Sequence, residues 1–156
     1  VTYALDVYYY RHDDADSDEP TIVRTRAELD SLIDYIASHE QPNPPVLYAR
    51  ERPRRGRRQR PDHQLTFDLS AAADVGALAY LGEDPDEPGE NATGAWVTHT
   101  ELPVGDAPPL YLDKHVPYQF PTSSALPLER VRAALHEFMT TGQRPRCVQW
   151  QDWVRS

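Results

Sequence analysis

The sequence predicts an α+β fold, an antiparallel or mixed sheet of about seven strands with two main helices packed on one face. Three observations predict it. Two segments repeat apolar residues at helical spacing. About seven shorter runs alternate at period two or are rich in β-branched and aromatic residues. The 156 residues are 39% hydrophobic and include 15 prolines, which suits a single domain over residues 1–156 with a real core and generous loops.

The elements follow in order. Tyr3, Leu5, Val7 and Tyr9 alternate with Ala4, Asp6, Tyr8 and Tyr10, which reads as a first strand with one face of each set. His12 to Pro20 holds five acids and reads as a solvated loop, and Thr21 to Arg24 as a short second strand. Thr25 and Glu28 have capping-box spacing, and Leu29, Leu32, Ile33 and Ile36 form the stripe of a helix that Pro42, Pro44 and Pro45 must stop. Val46 to Arg50 reads as a strand. Leu65, Phe67 and Leu69, then Leu78 and Tyr80, form an antiparallel pair around Ser70 to Val75. Glu83 to Gly94 reads as a loop, Ala95 to His99 as a strand, and Leu110 to Phe120 as two short strands broken by Pro117. Pro127 suits a first helical turn, Leu128, Val131, Ala134, Leu135 and Phe138 supply the second stripe, and Gly142 is the stop. Cys147, Val148 and Trp150 read as a last strand in which the thiol and Trp150 pack inside. Both helices need a cover, so they are expected on the same side of the sheet.

Net charge is −9, unevenly spread. Seven arginines and one acid lie between Arg50 and Arg60, whereas the remainder carries nine basic and 24 acidic residues. Such a surface repels nucleic acid and anionic lipid and attracts basic proteins; solubility alone is the plain alternative. The arginine run lacks interleaved aromatics for base stacking. A solvated loop, or one paired with the chain's own acids, is the first reading, and a nucleic-acid-binding regulator using Arg50–Arg60 is a rival one. A single cysteine excludes an internal disulfide. The opening residues do not resemble a signal peptide, and no apolar run approaches the roughly 20 residues of a membrane span. A cytoplasmic protein is the expectation, and the sequon at Asn91 then has no meaning.

Catalytic patterns are incomplete. Gly89 and Gly94 have P-loop spacing, but Ala95 stands where the phosphate-binding lysine belongs. His136-Glu137 opens like a zincin helix, but Thr140 replaces the second histidine. No two histidines have close ligand spacing. No cofactor and no metal are expected, and the chain is read as a binding protein and not an enzyme. The enzymatic alternatives are an atypical site near Asp62 and His63, or a nucleophilic Cys147.

Several segments resemble a known family. They are Thr2 to Tyr9, the helix from Thr25, Pro61-Asp62-His63-Gln64-Leu65, Gly76-Ala77-Leu78-Ala79-Tyr80-Leu81-Gly82, Thr141-Gly142-Gln143-Arg144-Pro145, and Cys147 through Trp153. The Tyr80-x-Gly82 element and the closing Trp150-x-x-Trp153 are the more specific. Together they resemble the first family of immunity proteins of bacterial polymorphic toxin systems. The resemblance implies an α+β fold and a toxin partner, typically a cytidine-deaminase-like domain; the acidic surface and the missing apolar run are what argue against nucleic-acid and membrane partners. Residues from Glu83 to Leu110 depart from the family pattern and are unusually acidic. On that basis the expected partner-binding residues are Glu83, Asp84, Asp86, Glu87 and Glu90, with Trp96, Tyr8 and Tyr10 as exposed aromatic anchors. The loop from His12 to Pro20 is the competing acidic surface.

Overall fold

A computed structural model describes residues 2–11, 19–86, 93–102 and 105–153. One antiparallel sheet organises the chain. Its strands are β1 (Leu5–Tyr8), β2 (Thr21–Val23), β3 (Val46–Ala49), β6 (Gln64–Ser70), β7 (Val75–Glu83), β8 (Thr93–His99) and β12 (Gln149–Asp152), in the order β12-β8-β7-β6-β3-β1-β2. A two-residue strand, β11 (Leu126–Pro127), also pairs with β7. Two small hairpins stand apart: β4 (Arg54–Arg55) with β5 (Arg60–Pro61), and β9 (Tyr111–Asp113) with β10 (Tyr118–Gln119). The helices are α1 (Arg26–Ser38) and α2 (Leu128–Thr141).

Local chemistry sets the helix ends. The Thr25 hydroxyl accepts the Glu28 N–H at 3.1 Å, and the Glu28 carboxylate accepts the Thr25 hydroxyl proton at 3.1 Å, so the capping pair forms through side chains. Helix α2 ends at Gly142, whose φ of 66° is left-handed. The Tyr3 ring packs so closely there that a Cβ on Gly142 would meet it at 2.8 Å.

The sheet has one helical face and one half-covered face. Val7, Leu47, Leu65 and Tyr80 lie in register across β1, β3, β6 and β7. They are buried in one cluster with Leu29, Leu32 and Ile33 of α1 and Val131, Leu135 and Phe138 of α2. The opposite face carries a smaller core of Val75, Ala77, Val97, Leu110, Phe120 and Ala125, supplied partly by the β9–β10 segment. That segment leaves uncovered the sheet end where Tyr48, Gln64, Leu81 and Ala95 succeed one another.

Two expectations need correction. Residues 50–60 are not simply a loop: they form the β4–β5 hairpin, with Gly56 and Gln59 at positive φ in its turn. The last strand begins at Gln149, not Cys147, and the Cys147 residue is exposed while Val148 is buried. The segment 141–147 must first turn back from the α2 cap, so pairing with β8 starts two residues later than alternation suggested.

Candidate partner-binding surface

The side chains expected at the site fall on different parts of the sheet. Strand alternation puts Trp96 in register with Tyr80, on the helical face. Tyr8 follows Val7 and therefore lies on the other face, where it is exposed and meets Tyr48 edge-on at 5.9 Å. Four strand spacings separate β1 from β8, about 19 Å at ~4.8 Å each. Tyr10 is exposed at the end of β1, where its backbone N–H donates to Gln41 Oε1 at 2.8 Å. Tyr8 and Tyr10 thus do not share a site with Trp96. Glu87 and Glu90 lie outside the described residues, as do residues 12–18 of the competing acidic loop.

Trp96 itself is half-buried, not an exposed anchor. Its ring stacks on Tyr80 at 6.3 Å and lies over Gly94, where a Cβ would meet it at 2.9 Å. The Arg144 guanidinium sits 4.5 Å from its centroid and 5.9 Å from that of Trp150. Trp150 donates its indole N–H to the Pro145 carbonyl at 2.6 Å and meets Tyr80 edge-on at 6.4 Å. Arg144 then reaches Asp84 at 3.3 Å and Asp86 at 3.6 Å, and Arg146 reaches Asp86 at 3.2 Å and the Pro85 carbonyl at 2.9 Å. Asp84, Asp86, Trp96, Arg144, Arg146 and Trp150, with His99 and Asp152, line an open concavity of about 550 Å³. Two of the acids read as partner-facing, Asp84 and Asp86, are therefore held by the chain's own arginines. Arg144 and Arg146 were not among the expected site residues; Arg144 stands in the family-like Thr141–Pro145 segment, and nothing in the sequence pointed to Arg146.

Asp62 and His63 have a different employment. Strand β3 pairs with β6 only through Val46 and Leu47, and beyond that point the two part. His63 fills the gap: its Nε2 accepts the Ala49 N–H at 2.8 Å, and its Nδ1 donates to Asp62 Oδ1 at 2.8 Å. This pairing fixes a neutral tautomer. Arg52 grips the same Asp62 with two nitrogens, at 3.2 and 2.9 Å, and donates to the Gly142 carbonyl at 2.7 Å. Burial pushes the His63 imidazole below its usual value, outweighing the Asp62 hydrogen bond. Burial also works to raise Asp62, but the hydrogen bonds from Arg52 and His63 hold it below the ordinary carboxylate range. With both ring nitrogens committed and the residue 4% exposed, His63 joins strand to hairpin and has no nitrogen to offer a substrate. Above it, burial pushes the Tyr80 hydroxyl up to about 12.

Cys147 lacks a nucleophile's setting. Partial burial and the neighbouring Glu137 carboxylate push its thiol up, the reverse of activation. Gly94 and Ala95 of the P-loop-like spacing lie in strand β8, not ahead of a helix. His136 of the zincin-like pair contacts Asp30 of α1 at 2.8 Å. Among the described residues no cluster of three potential metal ligands occurs, and no helix is long and apolar enough to cross a membrane.

No curated protein matches the chain. The family model described as immunity protein Imm1 matches residues 17–152, which takes in the sheet from β2 to β12, both helices and the Arg144 corner, and the chain accordingly belongs to the Imm1 family of immunity proteins.

Proposed function

We propose that the chain neutralises a toxin that acts on nucleic acid, a deaminase-like domain in particular, by covering the path its substrate takes. Family membership over residues 17–152 is the observation that carries the reading. A deaminase must admit a single strand or an extruded base to a zinc-activated water, and it holds phosphates with basic side chains near that mouth. An inhibitor with net charge −9 is electrostatically matched to such a surface, which speeds encounter and penalises wrong partners.

The Trp96 corner is the docking region we favour, with Glu83, Asp84, Asp86, Glu87 and Glu90 as the acidic side and Trp96 as the support. Arg144 braces this corner, so Asp84 and Asp86 meet a partner already held in place and lose little entropy on binding. Asp86 is the more exposed of the two paired acids and is suited to the rim.

The test is co-expression with the toxin encoded beside this gene. Protection of growth, a stable complex and loss of base-deaminating activity in the purified mixture are expected. A neighbouring toxin that forms the complex but cuts or modifies something other than a nucleobase would remove the deaminase assignment. A toxin that is neither bound nor inhibited would remove the whole reading.

A further inference from the structure

The arginine hairpin is the largest feature the Trp96 corner does not use. Each acid near it already has a task. Both oxygens of Glu51 accept the Ala4 N–H, at 3.1 and 3.0 Å. Asp62 is held by Arg52 and His63. Asp6, buried on the open sheet face, lies 3.6 Å from Arg50 and 3.8 Å from Arg54. Among the described residues, no carboxylate comes within ion-pair distance of Arg55, Arg57, Arg58 or Arg60. Four like charges on a short, exposed hairpin repel one another, and none of them has a counter-charge among the described residues.

Beside these charges runs a groove of about 810 Å³. It is lined by Arg60 and Pro61 of the hairpin, by Tyr48, Gln64 and Leu81, and by Thr93, Gly94 and Ala95 of β8. Leu81 is 39% exposed there, one of few large apolar side chains left open among the described residues. Tyr48 is not free to stack on a base: its hydroxyl donates to Gln64 at 3.0 Å, and its ring packs edge-on against Tyr8 and His63. A long polyanion would also have to cross the acidic remainder of the surface. A short acidic segment would feel mainly the nearby arginines, because screening limits the reach of charge to about 8–10 Å.

We propose that this groove holds an extended segment of the partner in which acidic side chains meet the hairpin arginines and an apolar one covers Leu81. The inference rests on the toxin reading for the partner's identity, but not for the groove's chemistry. It also places contacts with the partner on both faces of the sheet, with the β7–β8 hairpin between them.

The probe is a short fluorescent peptide of Glu residues interspersed with Leu and Ser, with oligothymidylate of similar charge as the rival. At low salt the peptide should bind and shift the amide resonances of Leu81, Gly82, Gly94 and Ala95. The exposed double reversal Arg57→Glu/Arg58→Glu should keep the melting temperature and weaken binding about tenfold, or ~1.4 kcal/mol. Absence of peptide binding overturns the proposal, and so does equal or tighter oligothymidylate binding that shifts only the hairpin. With the neighbouring toxin in hand, the double reversal should slow complex formation. If the wild type protects and the reversal associates at an unchanged rate, the groove assignment fails while the immunity reading stands. If the wild type protects against no toxin, the reading fails while the peptide still reports on the groove.

Discussion

The Trp96 corner and the arginine groove invert what their sequences advertise. The corner is built from an acidic turn, yet Asp84 and Asp86 are matched by Arg144 and Arg146, and the guanidinium of Arg144 is itself roofed by two indoles. The hairpin is arginine-rich, and there the nearby acids are absorbed by the Ala4 amide, by Arg52 and by His63, leaving four arginines without a carboxylate partner among the described residues. Charge density along a chain is therefore a poor guide to free charge. What counts is whether the fold supplies a counter-ion from elsewhere, and here the acidic turn receives one from residues about 60 positions away.

The comparison yields a sharp expectation: substitutions at the corner cost stability, and substitutions on the hairpin leave stability alone and affect association. Leu135 lies fully buried in the helical core behind the corner, so Leu135→Ala gives the largest loss, about 2–5 kcal/mol by urea denaturation. Leu32→Ala should behave alike; unchanged midpoints in both would mean that the helical face is not the main core. Trp150→Ala should cost about 3 kcal/mol, at the low end for a tryptophan because it is only half-buried. A Trp150→Ala protein of normal stability that fails to bind toxin would move this indole from support to interface.

Arg144→Ala should lose about 2–3 kcal/mol, less than a fully buried pair, since Asp86 still reaches water. Its effect should shrink when Asp84 is already Ala, which a double-mutant cycle would reveal. Additive losses would show that the guanidinium acts through the indoles alone.

His63→Leu removes the acceptor for the Ala49 N–H and should cost about 1–3 kcal/mol near neutrality. Its pH dependence has a definite sign. The native imidazole resists protonation, so below the ordinary histidine value of about 6.5 the unfolded chain takes up a proton that the native chain refuses. Wild-type stability must fall as the pH drops from there, and the depressed Asp62 adds a further loss as acid titrates it below its ordinary value. The variant should show a flatter slope just below pH ~6.5. An unchanged slope would mean that His63 is protonated in the native protein.

The smallest expected effect on stability is at the rim. Asp86→Lys should move stability little, within about 0.5 kcal/mol for a largely exposed charge. It should slow association with a basic toxin and flatten its salt dependence. An unchanged association rate at low salt would make the acidic turn a solubility feature and leave the groove as the better candidate for docking.

Much of the architecture was legible because it rests on short-range rules. Period-two alternation identified β1 and the β6–β7 pair, the stripes at Leu29 and Val131 identified α1 and α2, and Thr25 and Gly142 marked a start and a stop. The family-like closing segment pointed to residues now seen to clamp the corner. The site was less legible. Tyr8 and Trp96 both read as open aromatics, but register puts them on opposite faces, and the stacking on Arg144 that half-buries Trp96 spans 48 positions.

By itself the sequence determined the local elements, the two helical stripes and the −9 balance of charge, since each depends on residue type and near-neighbour spacing. Only the tertiary structure decided which charges are free, that Asp62 and His63 mend a gap between strands, and that Cys147 stays outside. Those outcomes depend on which distant groups meet. Burial and pairing strengthen or cancel a charge only after the chain has closed, and no local pattern records them.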